Sequence, residues 1–202
     1  MTPEEANGLY ALAWLSFGVM HSWLAGARTK DRMRALLGPY YRLIYNIIAA
    51  LHLAAIGAFG AWTFDGGREV APFNEWRGIL TLLAVVGWAA LIMVLRTYDL
   101  GRLLGTAQVR AHKAGMSFED DEPLITSGFH IYVRHPLYAA GFLILWGAAW
   151  TDLALATALW GSLYLVIGSR FEERRLRRLY GDTYRDYCRR VPAFIPWRGK
   201  AL

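Results

Sequence analysis

The chain has one cysteine, Cys188. An intrachain disulfide is thereby excluded, and a cysteine-based zinc site loses its ligands. No GxGxxG is present, and no glycine-rich stretch has a strand–turn–helix setting, so a Rossmann-type nucleotide site has no support. His21, His52, His112, His130 and His135 are spread over at least three segments without HxxxH or HExxH spacing, which does not read as a metal set. Acid is scarce beside base, with 16 Asp and Glu against 22 Lys and Arg, for a net charge of +6. In a soluble protein that excess would suggest nucleic acid. Here the basic residues flank apolar runs, so orientation in a bilayer accounts for them, and no nucleic-acid or obligate protein partner is expected.

Apolar length is plentiful. Hydrophobic residues make up 55% of the 202, and they are bunched into long runs rather than spaced at amphipathic intervals. The runs cover roughly 8–26, 43–64, 78–95, 137–150 and 153–167, the pattern of a polytopic membrane protein. Glu4 and Glu5 precede the first run where a signal peptide would carry basic residues, so a retained membrane helix is expected. The last two runs are each shorter than the ~20 residues of a straight span. A hairpin is preferred to one kinked span, because Asp152 between them would be costly in mid-membrane. The 96–134 stretch reads as one long polar loop with an acidic run, Glu119 to Glu122. After Arg170, Leu176, Leu179, Tyr180, Tyr184 and Tyr187 recur at helical spacing among arginines, as in a helix lying on the membrane surface, and Pro192 and Pro196 end it.

Charge sets the expected orientation. Twenty Lys and Arg fall in 28–42, 96–134 and 170–202, and only Arg68 and Arg77 in the 65–77 connector. The positive-inside rule then makes the first group cytoplasmic, with the N-terminus outside and the C-terminus inside. The expected fold class is all-α: about five transmembrane helices, the last two a hairpin, plus a cytoplasmic amphipathic C-terminal helix.

Two clusters flank the hairpin and could carry chemistry. In Arg134-His135-Pro136-Leu137-Tyr138, proline at the first helical turn costs nothing, since its missing N–H would be unpaired there. The remaining N–H groups and the helix dipole form a local anion site, to which Arg134 and His135 add donors. The alternative is a basic membrane helix start whose arginine reaches headgroups. In Arg170-Phe171-Glu172-Glu173, two carboxylates stand where both the helix C-terminus and the membrane face disfavour acid. Either they pair with Arg170 and Arg174, or Glu172 or Glu173 binds a cation. His52, in mid-span, is expected to be a hydrogen-bonded packing residue, and His21-Ser22 either lines a cavity or is a polar helix end.

With those residues in view, TSGFHIYVRHPLYAAG followed by RFEERRLRRLYGDTYRDYCRRVPAFIP resembles the integral-membrane methyltransferases related to isoprenylcysteine carboxyl methyltransferase. The resemblance covers about Leu124 to Trp197. Within that superfamily it extends to bacterial methanethiol S-methyltransferases and NnrU-type relatives, through His21, Ser22 and Ala25 followed by Arg28 and Lys30, and through Asp99, Leu100, Gly105, Gln108 and Val109. It implies S-adenosylmethionine as cofactor and a single methyltransferase domain over 1–202, with three spans in 8–95 and a cofactor-binding loop, hairpin and tail in 96–202. It implies that Leu124, Ile125, His135, Pro136 and Tyr138 line the cofactor pocket, with His130, Tyr132 and Glu173 beside them. Glu172 would meet the cofactor ammonium, His135 and the N–H groups after it the carboxylate, and Tyr132, Tyr138 or Trp146 the sulfonium. Arg170 would hold the acceptor anion, and His21 and Gln108 are further candidate substrate contacts. The implied reaction is methyl transfer to a small or lipophilic acceptor, a thiol first, with a prenylcysteine carboxylate or a phospholipid amine as alternatives. An NADPH-dependent membrane reductase and a non-catalytic NnrU-type membrane protein are the readings from other classes.

Overall fold

The computed structural model describes residues 1–117 and 124–197, so the acidic run Glu119 to Glu122 lies outside the described residues. The described residues are overwhelmingly helical, and an isolated bridge between Glu69 and Thr151 is their one β feature. Three helical stretches are long and apolar enough to cross a membrane: Ala27–Thr63, Arg77–Leu95 and Asp152–Arg190. The protein is therefore a helical integral membrane protein. It divides into two compact units, Met1–Gly66 with Tyr98–Glu122, and Gly67–Thr97 with Pro123–Leu202.

The first unit is built on α1 (Pro3–Ala25) and α3 (Tyr41–Thr63). A capping box starts α1, with Thr2 accepting from the Glu5 amide and Glu5 accepting from that of Thr2. Tyr10, Trp14 and Phe17 recur on one face and are buried. Tyr10 packs edge-on to Phe64 at 5.7 Å between ring centres. Polar residues also join the pair. His52 meets the Ser16 hydroxyl at 3.1 Å, the bonded packing role expected of it, and His21 meets the Tyr45 hydroxyl at 2.5 Å. Between α1 and α3, the basic helix α2 (Ala27–Leu37) ends at Gly38, whose φ of 55° turns the chain through the 3₁₀ turn Gly38–Tyr40.

The expected loop from Arg96 is instead partly helical. Asp99 caps α5 (Leu100–Leu104) by accepting from the Arg102 amide, and α6 (Thr106–Lys113) follows at once. Gly105, at φ 93°, joins them. A Cβ there would stand 2.6 Å from the Leu43 nitrogen, so only glycine lets this corner seat against the start of α3. Asn46 of α3 secures it by donating to the Leu103 carbonyl at 3.1 Å.

The second unit holds α4 (Arg77–Leu95), α7 (Pro136–Gly147) and α8 (Asp152–Arg190). The expected break between the last two apolar runs is present. Thr151 caps α8 by accepting from the Ala154 amide at 3.2 Å. Asp152 is paired rather than stranded: its carboxylate accepts from the Arg68 amide at 2.8 Å, and its own amide donates to the Arg68 carbonyl at 2.9 Å. Trp146 donates its indole N–H to Ser162 at 3.0 Å across the hairpin. The tail departs from expectation. No separate surface helix begins at Arg170, because α8 continues through the charged cluster and is interrupted only at Gly181, at φ 56°. From Arg170 to Tyr180 the residues are mostly Arg, Glu and Leu, all good helix formers, and nothing before Gly181 stops them.

Two glycines set how closely α4 and α7 approach. A Cβ on Gly147 would stand 2.7 Å from the Ala84 Cα and the Leu80 oxygen, and one on Gly87 would stand 2.8 Å from the Ile144 nitrogen. Without a hydrophobic force between helices in lipid, such backbone contact is a main source of association. Gly147→Ala is therefore expected to lower stability by about 1–3 kcal/mol through overpacking. The measurement is the melting temperature of the detergent-purified protein. Gly57→Ala, where a Cβ meets nothing within 4 Å, should leave it unchanged or higher. Equal behaviour of the two variants would contradict this packing.

Candidate functional site

The site is assembled from one loop, one helix and the chain that follows that helix. Leu124 to Ser127 run without regular structure to Gly128, whose φ of 61° starts the 3₁₀ turn Gly128–Ile131. Three residues after the turn the main chain pairs with the C-terminal segment. The Arg134 amide donates to the Pro192 carbonyl at 2.8 Å and the His135 amide to that of Ala193 at 3.0 Å. The Tyr187 hydroxyl donates to the His130 carbonyl at 2.6 Å. Tyr184, Tyr187 and Val191 form a buried cluster on which Leu124, Leu176, Tyr180 and Cys188 pack. Cys188 is a packing residue here, and the Leu124 side chain belongs to this cluster.

At the centre lies the carboxylate of Glu173, 5% exposed. One of its oxygens accepts from Arg134 Nε at 2.9 Å and Nη2 at 2.5 Å, and the other from Arg177 at 2.8 Å. His135 Nε2 is 3.2 Å away. The remaining Arg134 nitrogen, Nη1, donates to the Val191 carbonyl at 2.5 Å. Arg134 is thus a clamp between α8 and the segment after it. The partners of Glu173 are Arg134 and Arg177 in place of the Arg170 and Arg174 expected from sequence, while the Arg174 guanidinium lies 5.6 Å over the Phe171 ring. Arg177 is one turn on from Glu173, a spacing at which the sequence alone could have paired them.

Both ring nitrogens of His135 face carboxylates, Nε2 that of Glu173 and Nδ1 that of Glu172 at 3.5 Å. Burial acts to lower the His135 pKa, but hydrogen bonds and charge from Glu172 and Glu173 outweigh it and hold the pKa above its ordinary value. Burial likewise acts to raise Glu173, and the bonds from His135 and Arg134 bring it down to about 2. Glu172 is lowered too, against its desolvation, by His135 and by the Tyr138 hydroxyl. The His135 ring is stacked on Tyr138 at 5.4 Å and 8°, and Phe194 covers it at 5.6 Å. Phe194 was not singled out from sequence, although it stands within the VPAFIP stretch that carries the resemblance.

The two adjacent glutamates therefore differ. Glu173 is enclosed by cations, whereas the Glu172 side chain is 44% exposed, with His135 and the Tyr138 hydroxyl as its partners. Tyr132, 41% exposed, and the half-buried Ile125 and Tyr138 are the other accessible side chains from the expected set. Pro136 is buried at the first turn of α7. His130 is buried, and that burial lowers its pKa, so its ring is neutral. Trp146 is about 16 Å further along α7 at 1.5 Å per residue, too far to join His135. Arg170 is exposed on α8, two residues from Glu172 and hence about 200° around the helix from it. His21 and Gln108 belong to the other unit: His21 meets Tyr45, and Gln108 is buried and donates to the Arg102 carbonyl at 3.3 Å.

A family model described as phospholipid methyltransferase matches residues 82–183. The chain is 30% identical over 192 residues to a methanethiol S-methyltransferase of Crocosphaera subtropica, covering 91% of this chain and 72% of that one. It is 31% identical over 200 residues to methanethiol S-methyltransferase 1 of Bradyrhizobium diazoefficiens, covering 96% and 68%. A protein-S-isoprenylcysteine O-methyltransferase of Schizosaccharomyces pombe is 30% identical over 100 residues, 46% of this chain and 42% of its own. No solved structure matches.

The ion network predicts how stability responds to substitution and pH. Glu173→Gln leaves Arg134 half-paired in a buried setting and should cost about 3–5 kcal/mol, read as a fall in melting temperature in detergent. Glu172→Gln, at an exposed carboxylate, should cost far less. The raised pKa of His135 contributes stability that is complete below its ordinary value of 6.5 and is lost as pH rises through the raised value. The lowered pKa of Glu173 contributes stability that is present above 4.5 and is lost as pH falls through about 2. His135→Gln should flatten the alkaline limb and leave the acid limb in place. An unchanged alkaline limb would rule out His135 as its source.

Proposed function

Because the chain belongs to the phospholipid methyltransferase family, we propose that this membrane methyltransferase moves a methyl group from S-adenosylmethionine to a small or lipophilic thiol. The observation that carries the cofactor assignment is Glu172. It is a carboxylate kept ionised by His135 on a partly exposed side chain, within hydrogen-bonding reach of the Tyr138 hydroxyl. That donor set fits a ligand bearing an ammonium, a sulfonium and a carboxylate. The thiol assignment is supported by similarity to methanethiol S-methyltransferases over more than nine-tenths of the chain.

S-adenosylmethionine supplies an electrophilic methyl group on a sulfonium sulfur. Glu172 is assigned to the ammonium, and the N–H groups at the start of α7, with the His135 imidazolium behind them, to the carboxylate. Tyr132 and Tyr138 offer ring faces to the sulfonium. The main chain of Leu124 and Ile125 forms the adjoining wall, and His130, whose carbonyl accepts from Tyr187, fixes the turn that follows it. Glu173 is a positioning residue, because it orients His135 and Arg134 without facing the ligand. A thiol is nucleophilic as its thiolate, and a cation near the acceptor favours that form. Arg170, the residue expected to hold that anion, points about 200° around α8 from Glu172 and away from a donor held there, so the cation at the acceptor is left to other residues.

The whole chain is read as one methyltransferase domain with five spans, α1, α3, α4, α7 and the 153–167 part of α8, the N-terminus outside and the basic segments cytoplasmic. The distribution of Lys and Arg supports this orientation. At 12 residues α7 is about 18 Å long, well short of a ~30 Å hydrocarbon layer.

Glu172→Gln is expected to weaken S-adenosylmethionine binding about tenfold or more, as for loss of a charged hydrogen bond, with His135→Ala acting in the same direction. Arg170→Ala, on the far side of α8 from Glu172, should leave cofactor affinity unchanged and alter acceptor KM little. Transfer of labelled methyl groups to methanethiol, a prenylcysteine analogue or phosphatidylethanolamine identifies the acceptor. Label in a volatile thioether supports the thiol assignment, and label in the ester or the lipid overturns it.

A further inference from the structure

A second concave site lies in the first unit, on residues that the methyl-transfer site does not use. It is a hollow of about 300 Å³ between the end of α2, the turn into α3, and α6, lined by Arg34, Tyr41, Arg42, Gln108 and His112 among others. That volume is at the lower end of ligand pockets. Among the described residues, none that lines it is acidic. Gln108 and Tyr41 are buried in its floor, Arg34 and Arg42 are half-buried in its walls, and His112 stands exposed at its rim. Arg34 and Arg42 both line it, so two positive side chains face one small space.

The fold builds this arrangement. Gly38, at positive φ, turns α2 back so that Arg34 and Arg42 face a common hollow. Gly105 seats the α5–α6 corner directly on the backbone of Arg42 and Leu43, which carries Gln108 and His112 to the opposite wall. The basic helix α2 joins α1 to the long apolar helix α3. A short basic connector between membrane helices lies at headgroup level, and basic pockets there recognise phosphate headgroups.

We propose that this hollow binds the phosphate of an anionic phospholipid, held by Arg34 and Arg42 with Gln108 and His112 as further donors, while the acyl chains lie along α3. The source of the phosphate is a membrane lipid, because the site adjoins apolar helices. The proposal does not depend on the methyl acceptor, and its test involves no methyl transfer.

The test is titration of the delipidated, detergent-purified full chain with short-chain phosphatidylglycerol, read by native mass spectrometry. Each arginine near an anionic headgroup is worth about fivefold in affinity, so Arg34→Gln with Arg42→Gln should weaken binding ~30-fold. Arg28→Gln with Arg32→Gln removes the same charge from exposed positions of α2 outside the hollow and should change affinity less than about fivefold. Gln108→Leu keeps the charge and should still weaken binding severalfold. Equal losses in the two arginine pairs would overturn the proposal in favour of diffuse surface charge. Equal affinity for phosphatidylcholine would overturn it by removing the need for net negative charge. Binding of glycerol 1-phosphate as tight as that of the lipid would overturn the lipid source and reassign the hollow to a soluble phosphate.

Discussion

One buried carboxylate, that of Glu173, holds three parts of the second unit in register. Ionised in a largely dry setting, it must be surrounded by donors, and they come from Arg134 before α7, Arg177 one turn along α8, and His135 at the start of α7. The same Arg134 reaches the Val191 carbonyl, so the segment beyond α8 is fastened to the loop before α7 through one guanidinium. Arginine suits this role because its planar fork serves a carboxylate and a carbonyl together. The imidazolium of His135 is a consequence of the arrangement, since both its nitrogens face acid.

This constraint divides the labour of the charged cluster. Glu173 is committed to structure, so the charge available to a ligand is that of Glu172, next to it in sequence and more exposed. A rigid ion pair behind a partly exposed carboxylate is an arrangement suited to positioning, the main contribution a protein makes to an in-line methyl transfer. The hairpin that supports it is fixed at its other end without long-range charge. Asp152 exchanges hydrogen bonds with Arg68, and Gly87 and Gly147 let α4 and α7 meet backbone to backbone. Rigid helices thus carry the site, and a loop completes it.

Part of this was legible in the residues. Three of the apolar runs, 43–64, 78–95 and 153–167, announced helices long and apolar enough to cross a membrane, Thr151-Asp152 announced the turn between the last two helices, and the RHP and EE clusters came together at their other ends. The unequal roles of Glu172 and Glu173 were not legible, because adjacent carboxylates differ only through helix register and the direction from which Arg134 arrives. The long polar stretch after Arg96 concealed α5 and α6, which are too short to show a periodicity and depend on Gly105 resting against α3. The tail was expected to leave α8 at Arg170, where charge density rises. Charge does not end a helix made of Glu, Arg and Leu, and the backbone turns where glycine permits it, at Gly181.

A methyl donor held at the start of α7 by Glu172 is detectable by amide hydrogen exchange of the detergent-purified protein with and without S-adenosylmethionine. The expected result is slowed exchange in Leu124 to Tyr138, diminished by Glu172→Gln. Protection confined to other segments, or protection that survives Glu172→Gln undiminished, would contradict it.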